Sequence, residues 1–223
     1  MSSDVPAATS GPALLKGIEA ATGELLRPLG FRKRVAGIFT TELAPGVLGW
    51  IGLNHAAHRN WGYDINPVVG VRHQELERIR AELLGRKPHS YEGPTLATTL
   101  NSLIGLGHPN WSFPGGLPVG PMAERMVAAI RDFGLPYLRA HDSLEKMMPE
   151  IPKGVDLSSV AERQAIANLL LGRYEDAERI IATKLEKVAS DNAAYAIAFR
   201  AFADRFRRHA AQRRAATTAS PPR

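Results

Sequence analysis

The sequence predicts an α+β fold, in which an antiparallel sheet is packed by helices and is followed by a C-terminal three-helix segment with one tetratricopeptide-like hairpin. Three observations predict it. Residues 38–71 contain three strand-like runs separated by short turns. Apolar residues recur at helical spacing before and after these runs. From residue 155 the chain has no proline until Pro221 and is rich in alanine, leucine, arginine and glutamate.

The first helix is predicted over residues 13–29. Its apolar residues follow one helical stripe, and Gly30 stands where a left-handed residue typically ends a helix. Gly17 and Gly23 lower the helix propensity, so tertiary packing has to stabilise this helix. Residues 1–12 are mostly small or polar and contain proline and glycine, so we expect a disordered leader there.

A β-hairpin is predicted next, because residues 38–43 and 47–55 flank a Pro-Gly turn. In residues 63–71 apolar and polar side chains alternate, which is typical of a strand with one buried face. Pro67 lacks an N–H group, so we expect this strand to lie at an edge or to carry a bulge. The face expected to be buried carries Tyr63, Ile65, Pro67, Val69 and Val71, and the opposite face carries Asp64, Asn66, Gly70 and Arg72.

The middle of the chain combines helical spacing with many turn-forming residues. A helix is expected around residues 76–84, and residues 86–121 then contain six prolines and six glycines. This density favours a long irregular connection, with one strand near residues 95–104. Pro121 is well placed as the first residue of a helix that Gly134 would end.

The C-terminal part carries the signals of three helices. Ser159 and Glu162 have the spacing of a capping box at a helix start. Gly172, Tyr174 and Ala177 fit the turn and the second helix of a tetratricopeptide-type hairpin. The third helix has an aromatic stripe that is typical of a core, formed by Tyr195, Phe199, Phe202 and Phe206.

A break rich in proline and glycine at residues 149–154 marks a domain boundary. We therefore predict a disordered leader at residues 1–12, an α+β domain at 13–150, a helical segment at 151–209 and a basic disordered tail at 210–223.

Composition excludes several classes of chemistry and of location. The chain has no cysteine, which excludes disulfides, thiolate nucleophiles and cysteine-bearing metal sites. No basic start precedes an apolar run, and no stretch approaches the roughly 18 apolar residues of a membrane span. We expect a cytoplasmic protein that has no contact with a membrane.

The net charge of +6 lies almost wholly at the C-terminal end. Residues 200–223 hold seven arginines and one aspartate, while the other 21 basic and 21 acidic residues cancel. Such a segment attracts nucleic acid or an acidic partner, and a solubilising end is the alternative. The candidate nucleic-acid contacts are Arg205, Arg207, Arg208, Arg213 and Arg214.

Motifs of common enzyme classes are missing. The sequence has no G-x-S-x-G, no G-x-x-x-x-G-K-[ST] and no H-E-x-x-H pattern. Nothing in the spacing of the histidines fixes the three or four converging donors that zinc or iron needs. We expect no metal site and no cofactor, and no catalytic residue can be named.

A polar cluster around the strand ends is the best candidate for a ligand or partner site. Its members are Asn54, His55, His58, Arg59, Asp64, Asn66, Arg72 and His73. Alternate residues of a strand share a face, so Asp64, Asn66 and Arg72 would present donors and acceptors together to an anion or a polar ligand. The alternative is that these residues only make up the solvent-exposed face of the sheet.

Three segments resemble a known family. Leu-Arg-Pro-Leu-Gly-Phe-Arg-Lys-Arg at 26–34, Ile-Phe-Thr at 38–40 and Asn-Pro-Val-Val-Gly-Val at 66–71 make the chain similar to the bacterial family known as domain of unknown function 4304. The resemblance covers about residues 13–138. It implies an α+β domain in a bacterial cytosolic protein, and it brings no established activity and no catalytic residues.

The sequence therefore favours a non-enzymatic protein-interaction or regulatory module of a bacterial cytosolic protein, with a protein partner whose identity stays open. One alternative is a nucleic-acid-binding protein that uses the arginine-rich C-terminus. A second alternative is a hydrolase with a His/Asp/Arg site on the sheet. The oligomeric state stays open.

Overall fold

The computed structural model describes residues 11–58, 61–105, 107, 110–153 and 159–219. Within these residues the chain forms two compact units. The first unit lies in Met1–Arg72 and Leu96–Ser143, and the second lies in His73–Thr95 and Leu144–Arg223. The predicted α+β class, with an antiparallel sheet and C-terminal helices, is confirmed.

The first unit is built on a six-stranded sheet. Its strands are β1 (Arg32–Val35), β2 (Ile38–Ala44), β3 (Val47–His58), β4 (Gly62–His73), β5 (Leu96–Thr99) and β6 (Trp111–Pro114). They follow the order β1-β2-β3-β4-β5, and β6 also pairs with β4. Because β5 lies opposite residues 68–71 and β6 lies opposite residues 62–65, two short strands divide the length of β4 between them.

Pro67 does not make β4 an edge strand, because β4 has neighbours on both sides. The proline lies between the part of β4 that pairs with β6 and the part that pairs with β5. The missing N–H group therefore falls in a gap between the two described pairings, where a proline costs no bond to either short strand.

The predicted alternation along β4 is confirmed on its apolar face. Ile65, Val69 and Val71 are 0% exposed, and Pro67 is buried. Tyr63, at the end of the stripe, is only partly buried. This face therefore belongs to the core of the first unit.

Helix α1 (Gly11–Leu26) and the 3-10 turn Arg27–Leu29 form where a helix was predicted. Gly30, with φ +87°, ends the segment in the left-handed conformation. A Cβ atom at Gly23 would lie 3.1 Å from Cε1 of Phe39, so glycine lets α1 approach β2 closely. The packing thus offsets the low helix propensity of glycine.

The long irregular connection predicted for residues 86–121 is more ordered than expected. It contains β5, helix α3 (Leu100–Ile104) and β6, and it leads into helix α4 (Gly120–Ala129). Gly134 does not end the helical region, because a π-helical turn, Ile130–Gly134, continues into helix α5 (Leu135–Ala140). A Cβ atom at Gly134 would lie 3.5 Å from Cγ2 of Val69, so this turn packs closely on β4.

The second unit is helical in the part of the chain that the structure describes. Its helices are α2 (Gln74–Leu83), α6 (Leu144–Met147), α7 (Val160–Leu170), α8 (Tyr174–Lys187) and α9 (Ala194–Ala219), with a 3-10 turn at Ile151–Lys153. Leu76 and Ile79 of α2 join one buried cluster with Ile166, Ile181 and Phe202. The division of the chain thus differs from the predicted boundary near residue 150, because this packing groups α2 with the C-terminal helices.

Helices α7 and α8 form the predicted hairpin. Gly172 adopts φ +74° at the turn, and Ala177 is 1% exposed at the helix contact. In α9, Phe199, Phe202 and Phe206 are buried, with successive ring centroids 5.8 Å and 6.1 Å apart. Tyr195 is 58% exposed and does not belong to the core stripe, which corrects the prediction.

The capping box predicted at Ser159 does not form, since Ser159 makes no side-chain cap bond. Its hydroxyl instead accepts a 2.5 Å hydrogen bond from Nη1 of Arg163, while Glu162 pairs with Arg80 at 2.7 Å. Nε of Arg163 donates to Oε1 of Glu77 at 2.8 Å, and these two side chains are 8% and 7% exposed. A buried ion pair thus joins α7 to α2.

The C-terminal segment is helical beyond the predicted limit. Helix α9 continues through Ala219, so the expectation of a disordered tail at residues 210–223 was wrong for residues 210–219. Residues 220–223 and residues 1–10 lie outside the described residues. Residues 11 and 12, the last two of the predicted leader, begin α1. None of the helices in the described ranges combines the length and the apolarity that crossing a bilayer requires.

We expect Arg163→Met to lower the free energy of unfolding by about 3 kcal/mol, because it leaves Glu77 buried without its nearest cation. The double variant Arg163→Met, Glu77→Leu should regain part of this loss. Urea denaturation followed by circular dichroism measures both. Arg78→Met is the control, since the exposed Arg78–Glu82 pair at 2.7 Å should contribute less than about 1 kcal/mol. Equal losses for the two single variants would contradict the assignment of the buried pair.

Candidate functional site

The predicted polar cluster divides between the two faces of the sheet. Nε2 of His58 lies 3.0 Å from Oδ2 of Asp64. The His55 ring instead meets the Tyr63 ring edge-on, with centroids 5.6 Å apart. Tyr63 lies on the same face of β4 as the buried Ile65, and Asp64 lies on the other face. His55 and His58 therefore point to opposite faces and do not converge, which corrects the predicted cluster.

The remaining predicted members do not complete a site around His58 and Asp64. Asn54 is exposed, and Oδ1 of Asn66 is buried without a hydrogen-bond partner among the described residues. Arg72 is 2% exposed, so it is not available to a ligand at the surface. His73 belongs to the second unit, where it caps α2, and Arg59 lies outside the described residues.

Ser112 of β6 extends the His58–Asp64 pair. Its hydroxyl donates to Oδ1 of Asp64 at 2.6 Å, and the His58 ring stacks on Trp61 with centroids 4.3 Å apart. In a nucleophilic triad the imidazole stands between the hydroxyl and the carboxylate. Here the carboxylate stands between them, so the imidazole is not placed to take the serine proton. The arrangement positions His58 and Ser112, and it gives no support to a hydrolase.

The described part of the chain contains no set of donors for a metal ion. No three histidine, aspartate or glutamate side chains there lie close enough together to hold an ion.

The outer edge of β6 pairs with no other strand of the described residues. Gly115 N–H donates to the Trp61 carbonyl at 2.6 Å, and the register continues through the pairs Tyr63↔Phe113 and Ile65↔Trp111. Hydrogen-bonded and non-hydrogen-bonded pairs alternate in an antiparallel ladder, so Ser112 occupies a non-hydrogen-bonded position. Its N–H and C=O groups therefore point away from β4. Neither group bonds to another described residue.

A groove of about 280 Å³ lies beside this edge. One wall is formed by residues 112–114 of β6, and the other by Pro121, Met122 and Arg125 of α4. Leu117, in the loop between the walls, is 61% exposed although it is apolar. We call this surface the β6 groove.

Arg125 is the charged residue that lines the β6 groove. Its side chain is exposed, and no carboxylate within the described ranges forms an ion pair with it. The other lining residues, apart from Ser112, are apolar. A guanidinium that has no ion pair among the described residues therefore lies beside an apolar surface.

Sequence reasoning missed the β6 groove because it placed β6 inside an irregular loop. The signal that was available is the alternation in Trp111-Ser-Phe-Pro, in which Trp111 and Phe113 are 6% and 2% exposed. Four residues are too few to distinguish such an alternation from chance. Nothing in the sequence around Arg125 indicates that it faces the groove.

The predicted nucleic-acid contacts are largely engaged within the second unit. Four of the five arginines bind acceptors of this unit, and three of those acceptors are glutamates, which offset the charge of Arg207, Arg213 and Arg214. Arg208 has no such contact among the described residues. The contacts are Arg205 Nη1 to the Leu83 carbonyl at 2.9 Å, Arg207 to Glu178 at 2.5 Å, Arg213 to Glu75 at 3.1 Å, and Arg214 to Glu175 at 3.7 Å.

Comparison with known proteins gives no relative: no family model, no curated protein and no solved structure matches this chain. The resemblance to domain of unknown function 4304 therefore stays a prediction.

His73 has a structural task at the start of α2. Its Nδ1 accepts a hydrogen bond from the Leu76 N–H at 3.2 Å, and its own N–H donates to Oγ1 of Thr95 at 3.0 Å. Burial lowers the pKa of His73 below the usual value of 6.5, against the opposing effect of Glu75 and other nearby carboxylates. Protonation would also remove the acceptor that caps the helix.

We expect His73 to make the protein less stable in acid. Because the folded-state pKa is lowered, the unfolded chain takes up this proton first as the pH falls through about 6.5, and unfolding becomes easier. His73→Asn keeps a capping oxygen but does not titrate, so its free energy of unfolding should fall less between pH 7.5 and pH 5. Urea denaturation at both pH values measures this. Burial also lowers the pKa of His209, so the free energy of unfolding of both proteins should still fall somewhat between pH 7.5 and pH 5. An equal fall in the free energy of unfolding for the wild type and His73→Asn would contradict the role of His73.

Proposed function

We propose that this chain is a non-enzymatic protein-interaction module of the bacterial cytosol, and that it binds an extended segment of a partner protein along the outer edge of β6. The observation that carries the proposal is the outward direction of the Ser112 N–H and C=O groups beside an apolar groove. An open strand edge pairs readily with an extended chain, in which main-chain hydrogen bonds give affinity and pockets give specificity.

The neighbourhood of this edge supports binding of a protein segment. Trp61, just before β4, is 42% exposed, and Leu117, in the loop after β6, is 61% exposed. An exposed apolar side chain that lines a groove, as Leu117 does, is typical of an interaction site. The strand itself is short and ends in Pro114, which limits uncontrolled edge pairing with other proteins.

The rival functions fit the geometry less well. A hydrolase would need the imidazole of His58 next to the hydroxyl of Ser112, and Asp64 stands between them. Nucleic-acid binding would need unpaired cations, and the glutamates of the second unit pair with Arg207, Arg213 and Arg214 of α9.

The experiment begins with a phage-displayed library of random linear dodecapeptides, selected against the whole chain. An enriched sequence is synthesised with a C-terminal amide and a fluorophore, and its affinity is measured by fluorescence polarisation. We expect enriched sequences in which apolar residues occupy alternate positions, because alternate side chains of an extended chain face the same wall. Failure to enrich any sequence would count against the proposal.

We expect Ser112→Pro to weaken binding of the selected peptide at least about tenfold, because proline removes the outward N–H donor and places its ring in the path of the partner strand. The matched control is Ser112→Ala. Both variants lose the hydrogen bond to Asp64, and only the proline variant loses the edge donor. The fold should survive, since proline is tolerated where the N–H of an edge strand faces outward.

Thermal unfolding followed by circular dichroism checks that both variants are folded. Equal affinities of the folded proline and alanine variants for the peptide would contradict binding at this edge.

A further inference from the structure

We infer that the segment bound in the β6 groove carries an aspartate or glutamate side chain that pairs with Arg125, close to an apolar side chain that enters the groove. This inference rests on the proposed function and names the chemistry of the ligand.

The wall formed by α4 offers two different subsites. Pro121, Met122 and Arg125 are one, three and four positions apart, so they lie on one face of the helix. Arg125 lies about 4.5 Å further along the helix axis than Met122. Alternate side chains of an extended segment are separated by about 6.8 Å, so neighbouring side chains on one face of the ligand reach both subsites.

Electrostatics selects an acidic ligand. Arg125 is exposed, it has no ion pair in the described ranges, and it is the charged group of the groove. A guanidinium binds a carboxylate through two parallel hydrogen bonds, which gives the pair a defined geometry. Helix α4 begins at Gly120 beside the same groove, and Val119 provides no side-chain cap, so the helix dipole adds to the positive potential.

Pairing between the β6 edges of two copies of this chain does not supply the required ligand. If two β6 edges paired, each would offer residues 110–114 to the other, and Asn-Trp-Ser-Phe-Pro contains no acidic residue. The charge of Arg125 therefore favours an acidic segment of another protein over pairing between two β6 edges.

The test uses the dodecapeptide selected against the whole chain, always with an amidated C-terminus. Each acidic residue of the peptide is replaced in turn by its amide, Asp by Asn or Glu by Gln. We expect one of these replacements to weaken binding to the wild type at least about fivefold, since a charge-assisted pair at a partly apolar surface contributes that much.

Arg125→Gln should weaken binding of the acidic peptide to a similar extent. The amide peptide and the acidic peptide should then bind Arg125→Gln with equal affinity, because the carboxylate of the peptide and the guanidinium of Arg125 act as one pair. Arg125→Lys should recover part of the affinity, as lysine keeps the charge and loses the bidentate geometry. Arg131→Gln is the matched control, because Arg131 is exposed, pairs with Asp132 at 2.7 Å and does not line the groove.

The outcomes separate this inference from the proposed function. If Arg125→Gln and the amide peptides keep full affinity while Ser112→Pro abolishes binding, the inferred pairing of an acidic side chain with Arg125 is contradicted. The proposed pairing along the edge of β6 is then supported. If Ser112→Pro binds as Ser112→Ala does, edge pairing itself fails. If replacing the acidic residue still weakens binding to Arg125→Gln, or if sedimentation shows a dimer that the peptide cannot dissociate, the inference is overturned.

Discussion

The antiparallel pairing of β6 with β4 is the constraint on which the first unit and its groove depend. β6 has four residues, and Trp111 and Phe113 direct their backbone groups towards β4. Ser112 is then forced to direct its backbone groups outward. Gly62 permits this close pairing, because a Cβ atom there would lie 2.0 Å from the Phe113 carbonyl oxygen and its φ is +140°. One register thus builds the ladder and leaves an open edge.

The same register explains the polar contacts near the groove. It places Ser112 opposite Asp64, so the serine hydroxyl and His58 share one carboxylate. The contacts join the β3–β4 hairpin to β6 on the face of β4 that lies away from Ile65. Their chemistry is that of a satisfied polar network, which fixes strand positions and does not activate a nucleophile. His58 and Asp64, which the sequence places in a candidate ligand cluster, thus help to hold β6 in register against β4.

Local signals made part of this fold predictable, and long-range pairing made the rest unpredictable. The helical stripe before Gly30, the Pro-Gly turn and the alternation along β4 each lie within a few residues, and all three were read correctly. β5 and β6 form only because β4 offers an edge to them. Arg163 pairs with Glu77, which lies 86 positions away, so no local signal shows that a capping box fails to form at Ser159. Arg213 pairs with Glu75, which lies 138 positions away, so no local signal shows that the C-terminal segment is helical. Ser112 and Arg125 were missed for the same reason.

Amide hydrogen exchange, followed by NMR with and without the selected dodecapeptide, measures whether the Ser112 N–H is free to bond with a partner strand. We expect the Ser112 amide to exchange quickly in the free protein and the Phe113 amide to exchange slowly, because Phe113 is bonded within the ladder. Addition of the peptide should slow exchange at Ser112 by a larger factor than at Phe113, because only Ser112 gains a new hydrogen bond. Slow exchange at Ser112 in the free protein, or exchange there that the bound peptide does not alter, would contradict an edge that is open to a partner strand.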